Sequence, residues 1–181
     1  MSHPARWIAI TVALVVVGIG VVLATQVGSD PRADTTTSQL VGDLAPELAL
    51  RDLDGNAVDA TTLAGKAVIV NFWNTWCVPC REELPSLQSF AARHRDDPDV
   101  AIVGIVRDDT LRSVRSYVKA EGIGWTITMD PGSRAALAFG TRGQPETFAI
   151  SPDGIVAGAL IGPANEDSLE KMLAAARRQA P

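Results

Sequence analysis

The feature that most limits what this chain can become is Trp76-Cys77-Val78-Pro79-Cys80, two cysteines one helical turn apart where a run of β-formers gives way to a helical pattern. They are the only cysteines among 181 residues. With two residues between them, the sulfurs come within disulfide distance without distorting the backbone. A helix start offers unpaired N–H groups and a partial positive charge, both of which favour thiolate over thiol. A Cys-x-x-Cys at a strand-to-helix junction in a βαβ pattern therefore reads as a redox dithiol. Cys77, first and nearer to solvent, is the expected attacking nucleophile, and Cys80 the resolving thiol. Buried structural cysteines or half of a metal site are the competing readings. A structural zinc site takes four protein ligands, and only His3 and His94 remain to supply nitrogen, so no metal and no cofactor are expected.

The N-terminus carries the second signal. Residues Trp7 to Ala24 contain no charge, a stretch of about 18 residues, long enough for a transmembrane helix. It exceeds the roughly 7–15 apolar residues of a cleavable signal, although Val22-Leu23-Ala24 offers a weak cleavage pattern. Arg6 before it and Asp30 after it place the N-terminus inside and the remainder outside. The expectation is a single-pass anchor in the cell membrane with the domain on the extracytoplasmic side, or a secreted or periplasmic domain if the segment is removed. Residues 1–25 are read as that anchor or signal, 26–40 as a polar tether around Pro31 and Thr35-Thr36-Thr37, and 41–181 as one folded domain. A net charge of −5 and no basic cluster argue against nucleic-acid binding. A monomer is expected.

Along the domain, Glu47 to Arg51 and Ala57 to Asp59 flank Asp54-Gly55-Asn56 as a short hairpin. Thr61 to Gly65 reads as one turn. Ala67 to Trp73 is a strand with almost no polar side, as expected when both faces are covered. Cys80 to His94 has helical spacing at Leu84, Leu87 and Ala91, with Glu82 and Glu83 complementing the dipole and Pro85 as a kink. Val100 to Val106 is a second buried strand, followed by a helix from Thr110 to about Glu121. A short strand at Thr126–Met129 and a short helix at Gly132–Phe139 come next. A hairpin formed by Thr147–Ile150 and Ile155–Ile161 turns at Ser151-Pro152-Asp153-Gly154, and Asn165 caps a last helix to about Gln179. The pattern specifies an α/β domain with helices on both faces of one sheet.

Val70-Asn71-Phe72-Trp73-Asn74-Thr75-Trp76-Cys77-Val78-Pro79-Cys80-Arg81-Glu82-Glu83-Leu84-Pro85 resembles the active-site signature of membrane-anchored thioredoxin-like proteins, the TlpA, ResA and CcmG (DsbE) group. Gly42-Asp43-Leu44-Ala45-Pro46, Gly65-Lys66 and Gly143-Gln144-Pro145-Glu146-Thr147-Phe148 resemble further motifs of that group in the same order, so the match runs from Val41 to about Gln179. The resemblance implies a thioredoxin-like fold: a central mixed β-sheet with helices on both faces, an N-terminal β-hairpin extension and a central αβ insertion. It implies a cis Pro145 facing the dithiol, with the backbone of Gln144 exposed to an extended substrate. Trp76 and Pro79 would shape the site, while Trp73 is read as either site or core. Ordinary thioredoxin has a buried Asp where this chain has Asn71, which cannot titrate, so proton handling must fall to water or another carboxylate. Glu146 is the leading candidate to tune the thiolate and Glu83 the weaker, each against the alternative of a solvated surface charge. Val78 stands where the ResA branch carries a glutamate.

The implied activity is extracytoplasmic thiol–disulfide exchange. Protein disulfides would be the substrates, the Cys-x-x-Cys-His site of apocytochrome c foremost, and a membrane thiol carrier of the thioredoxin-reductant type would supply electrons. Spacing does not set direction, so an oxidant or isomerase of secreted proteins remains the alternative. A membrane-tethered Cu(I)-binding module is a second one, weakened by the lack of Met or His ligands near the dithiol. Peroxidase chemistry is set aside because Asn74 and Val70 stand where a peroxiredoxin-like site needs Thr and Pro.

Overall fold

The computed structural model describes Trp7, residues 12–17 and residues 38–178. Trp7 and residues 12–17 are helical. Among the described residues no helix is long and apolar enough to cross a membrane; most of the expected anchor and tether lies outside them. The chain divides into an N-terminal unit and a folded unit, and the second holds every strand among the described residues.

The folded unit opens with a turn at Ser38 to Val41, where Val41 N–H donates to Ser38 O (3.1 Å). Leu40, expected in the tether, packs against the core, so the domain begins slightly earlier than its polar composition suggests. Strands β1 (Ala49–Asp52) and β2 (Ala57–Asp59) pair as the expected hairpin. The Asp52 carboxylate accepts from the amides of Asp54 (2.9 Å) and Asn56 (2.8 Å), which fixes the turn. Asp59 ends β2 and caps the single turn α1 (Ala60–Leu63) in a capping box with Thr62.

Strand β3 (Ala67–Trp73), buried at every position, forms the centre of the sheet. It leads into α2 (Val78–Arg93), and the chain continues through β4 (Val100–Val106), α3 (Leu111–Glu121), β5 (Thr126–Met129) and α4 (Arg134–Ala138). Strands β6 (Glu146–Ile150) and β7 (Val156–Ile161) and helix α5 (Glu166–Arg178) close the domain. The seven strands form one mixed sheet in the order β2-β1-β5-β4-β3-β6-β7. β3, β4 and β5 run parallel, and β6 returns antiparallel to β3.

Because successive strand residues face opposite ways, β3 divides the core. Val68, Val70 and Phe72 meet Phe139 of the α4 segment and Phe148 on one face. Ile69 packs against α2 and α5 on the other through Leu87, Phe90, Leu169 and Leu173. Trp73 joins this second face near α3, beside Val114 and both cysteines. Helices therefore cover both faces, as the periodicity implied, in a thioredoxin-like arrangement.

Helix α2 begins two residues before the expected start at Cys80, so that Cys77 is its N-cap, and it runs on through Pro85 without a break. Thr110 and Asn165 cap their helices as expected, through Ser113 N–H (3.1 Å) and Ser168 N–H (2.8 Å).

Gly104 on β4 lies directly under Trp73. A Cβ added there would stand 2.7 Å from Trp73 Nε1 and 2.6 Å from Ile127 Cδ1. Gly104→Ala is expected to destabilise the oxidised protein by about 1–3 kcal/mol through overpacking, read from the urea midpoint. An unchanged midpoint would mean that Trp73 is not held against this strand.

Candidate active site

β3 and β4 are parallel and β6 is antiparallel to β3, so the ends at Trp73 and Val106 and the start at Glu146 lie along one edge of the sheet. The loops leaving that edge build the site. Ligands commonly bind outside the carboxyl ends of parallel strands in such sheets.

Cys77 and Cys80 form a disulfide. As N-cap, Cys77 accepts through Sγ from Cys80 N–H (3.2 Å), an arrangement that places its sulfur in the positive field of the helix start. Pro79 occupies the first turn, where its missing N–H has no helical role. Both cysteines are largely buried, whereas Trp76 (55% exposed) and Val78 (62% exposed) stand out around them as an apolar rim. Trp73, by contrast, is core.

The peptide bond between Gln144 and Pro145 is cis. Gln144 O lies 3.8 Å from Cys77 Sγ, so this loop is the wall opposite the dithiol. Pro145 O accepts from Gly162 N–H (2.9 Å). Gln144 N–H has no hydrogen-bond partner among the described residues.

The two carboxylates occupy opposite faces of the sheet. The register pairs Asn71 with Thr147 and Phe72 with Glu146, so Glu146 shares the Phe72 face while Asn71 and Thr147 face α2. Glu83 reaches the Asn71 face from α2. Asn71 Nδ2 donates to Glu83 Oε1 (2.9 Å) and to Thr147 Oγ1 (3.0 Å), and Ala164 N–H donates to Glu83 Oε2 (2.8 Å). Glu83 is 1% exposed. Neither it nor Glu146 is a solvated surface charge, and Glu83 is not a dipole-compensating residue of the first turn. The helical spacing that placed Glu83 on α2 did not show that this position turns inward beneath Cys80.

Burial pushes the Glu83 carboxyl up to about 7, against the lowering effect of the hydrogen bonds from Ala164 and Asn71. With Cys80, Asn71 and Tyr117 it lines a cavity of about 10 Å³, close to the space one water requires. Asn71 does not titrate but holds the group that does. Glu146, ranked first from the sequence, instead accepts from the amides of Arg142 (2.7 Å) and Gly143 (2.9 Å).

A second set of residues was not legible in the motif. Arg107-Asp108-Asp109, directly after β4, clamps Asn74-Thr75-Trp76. Asn74 Nδ2 donates to Arg107 O, Thr75 N–H and Oγ1 donate to Asp109 Oδ2 (3.0 and 2.7 Å), and Trp76 Nε1 donates to Asp108 O (3.3 Å). Asp108 takes a positive φ of 53° to present its carbonyl. Arg81 Nε adds a bond to Thr75 O (2.8 Å) from the helix side. The available signal was position alone: two acidic residues at the carboxyl end of a central parallel strand.

The AhpC/TSA family model matches residues 41–159. The chain belongs to that family. Among its relatives, the thiol-disulfide oxidoreductase ResA of Bacillus thuringiensis (strain Al Hakam) is 31% identical over 74% of this chain and 76% of its own length. The thiol:disulfide interchange protein HelX of Rhodobacter capsulatus is 32% identical over 96% of this chain and 95% of its own. A crystal structure of a thioredoxin-family thiol:disulfide interchange protein from Chlorobium tepidum TLS superposes with a TM-score of 0.66 at 31% identity, covering 74% of this chain and 94% of that one. This family member is a thiol–disulfide oxidoreductase of thioredoxin-like fold, in keeping with its resemblance to the TlpA, ResA and CcmG group. Among the described residues no cluster of three or more His, Cys, Asp or Glu is placed to hold a metal ion.

The raised Glu83 pKa carries a stability consequence. A carboxyl whose folded value lies above its unfolded one stabilises the fold at low pH, and the contribution is lost as pH rises from about 4.5 to about 7. Glu83→Gln removes that titration. The fall in oxidised-protein stability between about pH 4 and pH 8, measured by urea unfolding, should shrink by on the order of 3 kcal/mol. An identical pH slope in the two proteins would place Glu83 in water rather than in the core.

Proposed function

We propose that this chain is an extracytoplasmic reductase of protein disulfides, acting on the Cys-x-x-Cys-His site of apocytochrome c before haem attachment. The observation that carries the exchange chemistry is the buried carboxyl of Glu83, which lines the same cavity as Cys80 and whose pKa burial raises to about 7; the reductive direction rests on the resemblance of the signature motifs. Resolution of a mixed disulfide requires the second thiol to lose a proton, and an acceptor of that affinity serves near neutral pH.

The steps balance as follows. Cys77 thiolate attacks one sulfur of the substrate disulfide, the substrate S–S bond breaks, and the released sulfur takes up a proton. Cys80 then gives its proton to the Glu83 carboxylate and attacks Cys77 Sγ. The mixed disulfide breaks, the second substrate sulfur leaves as a thiolate that takes up the proton held by Glu83, and the Cys77–Cys80 disulfide is the product. Two electrons have passed to the substrate. A membrane thiol carrier restores the dithiol by the same exchange in reverse. Gln144, whose carbonyl lies beside Cys77 and whose N–H has no partner among the described residues, suits an extended substrate segment adding along that loop. The apocytochrome assignment rests on the resemblance of the signature motifs, and the extracytoplasmic, membrane-attached setting on the charge-free run from Trp7 to Ala24.

Cys80→Ser blocks resolution and should accumulate substrates as mixed disulfides on Cys77 in the native host. Cytochrome c precursors are expected in the catch. A catch of secreted proteins without cytochrome precursors, together with a reduction potential near about −120 mV, would make the protein an oxidant instead.

A further inference from the structure

We infer that Glu146 is a positioning residue for the substrate-receiving loop, acting through the reach of its carboxylate to two backbone amides and not through its charge on the thiol. The inference rests on the reading that Gln144 presents its backbone to a peptide substrate.

The loop between α4 and β6 is fastened at three places. At its start, Thr141 N–H donates to Ala136 O (3.0 Å). At its end, Pro145 O accepts from Gly162 N–H (2.9 Å). Between them the chain has no strand partner, and a single side-chain atom supplies the acceptor: Glu146 Oε1 takes both Arg142 N–H (2.7 Å) and Gly143 N–H (2.9 Å). The next residue is Gln144, whose carbonyl lies 3.8 Å from Cys77 Sγ. Glu146 is therefore a brace folded back from the first residue of β6 onto the two residues preceding the one that faces the dithiol.

Its surroundings separate this role from thiol tuning. Glu146 is 3% exposed and lies on the Phe72 face of the sheet, across the strands from Asn71 and Glu83. The cavity of about 340 Å³ that it borders is lined by Leu40, Phe139, Arg142 and Phe148 and includes neither cysteine. The cavity shared with Cys80 is lined by Glu83 and not by Glu146. A buried carboxylate serving two amides also fixes their direction, because leaving the buried Glu146 acceptor without its donors is costly.

Two conservative variants separate geometry from charge. Glu146→Gln keeps the length and an amide oxygen able to accept both bonds, but removes the charge. Glu146→Asp keeps the charge and shortens the reach by one methylene. Each is assayed for reduction of a synthetic extended peptide carrying a Cys-x-x-Cys disulfide, and of bis(2-hydroxyethyl) disulfide, which has no backbone to pair. Cys77 thiolate formation is followed by the pH dependence of its alkylation. The expected result is a KM for the peptide within about twofold of wild type for E146Q and about tenfold higher for E146D. Turnover of the small disulfide and the Cys77 pH profile should be unchanged in both. The inference is overturned if E146Q lowers the Cys77 titration while E146D behaves as wild type, or if E146D leaves the peptide KM unchanged. Should the wild-type protein reduce the small disulfide but not the peptide, the substrate-pairing reading itself fails, a result distinct from either variant outcome.

Discussion

The site depends on one buried carboxyl. Glu83 is held from three elements at once: its own helix α2, Asn71 on the central strand and the amide of Ala164 after β7. A carboxylate placed in apolar surroundings without partners would be strongly disfavoured. Two donors make the burial tolerable while leaving proton affinity near neutrality. Asn71 thus has a physical task that a titrating residue in its place would complicate: its amide always donates, and Thr147 takes its second proton. The dithiol sits one turn above this group, and the sheet edge, the clamp after β4 and the loop before β6 hold the chemistry around it.

Two supports position the reactive sulfur without touching it. The Arg107-Asp108-Asp109 clamp holds the three residues before Cys77, so that Trp76 stands as a fixed rim even though more than half of it is exposed. The Glu146 brace holds the residues before Gln144 on the other side. Side chains on loops gain precision when a rigid neighbour supplies acceptors for their backbone. One wall takes its acceptors from the loop after β4, the other from the first residue of β6.

Much of the fold was legible because its signals are local. The unbroken apolar run of Ala67–Trp73 declares a strand covered on both faces, and Asp54-Gly55-Asn56, Thr110 and Asn165 mark turns and caps whose side chains bond within a few residues. The dithiol was legible for the same reason. The carboxylates were not. Glu146 and Glu83 both read as polar residues near the motif, and only the register of β6 against β3 reveals that they face opposite sides of the sheet. The partners of Glu83 lie 12 and 81 residues away, and those of Thr75 lie 34 residues away. No periodicity carries such information.

The chemistry of the site stands on Glu83 holding or accepting a proton in the neutral range beside Cys80. The direct measurement is a carboxyl-carbon NMR titration of Glu83 in the oxidised protein, with Glu83→Gln identifying the resonance. The expected midpoint is about 7, well above an ordinary glutamate. A midpoint at the ordinary value, about 4.5, would mean that Glu83 stays ionised throughout catalysis, and proton handling would have to be assigned elsewhere.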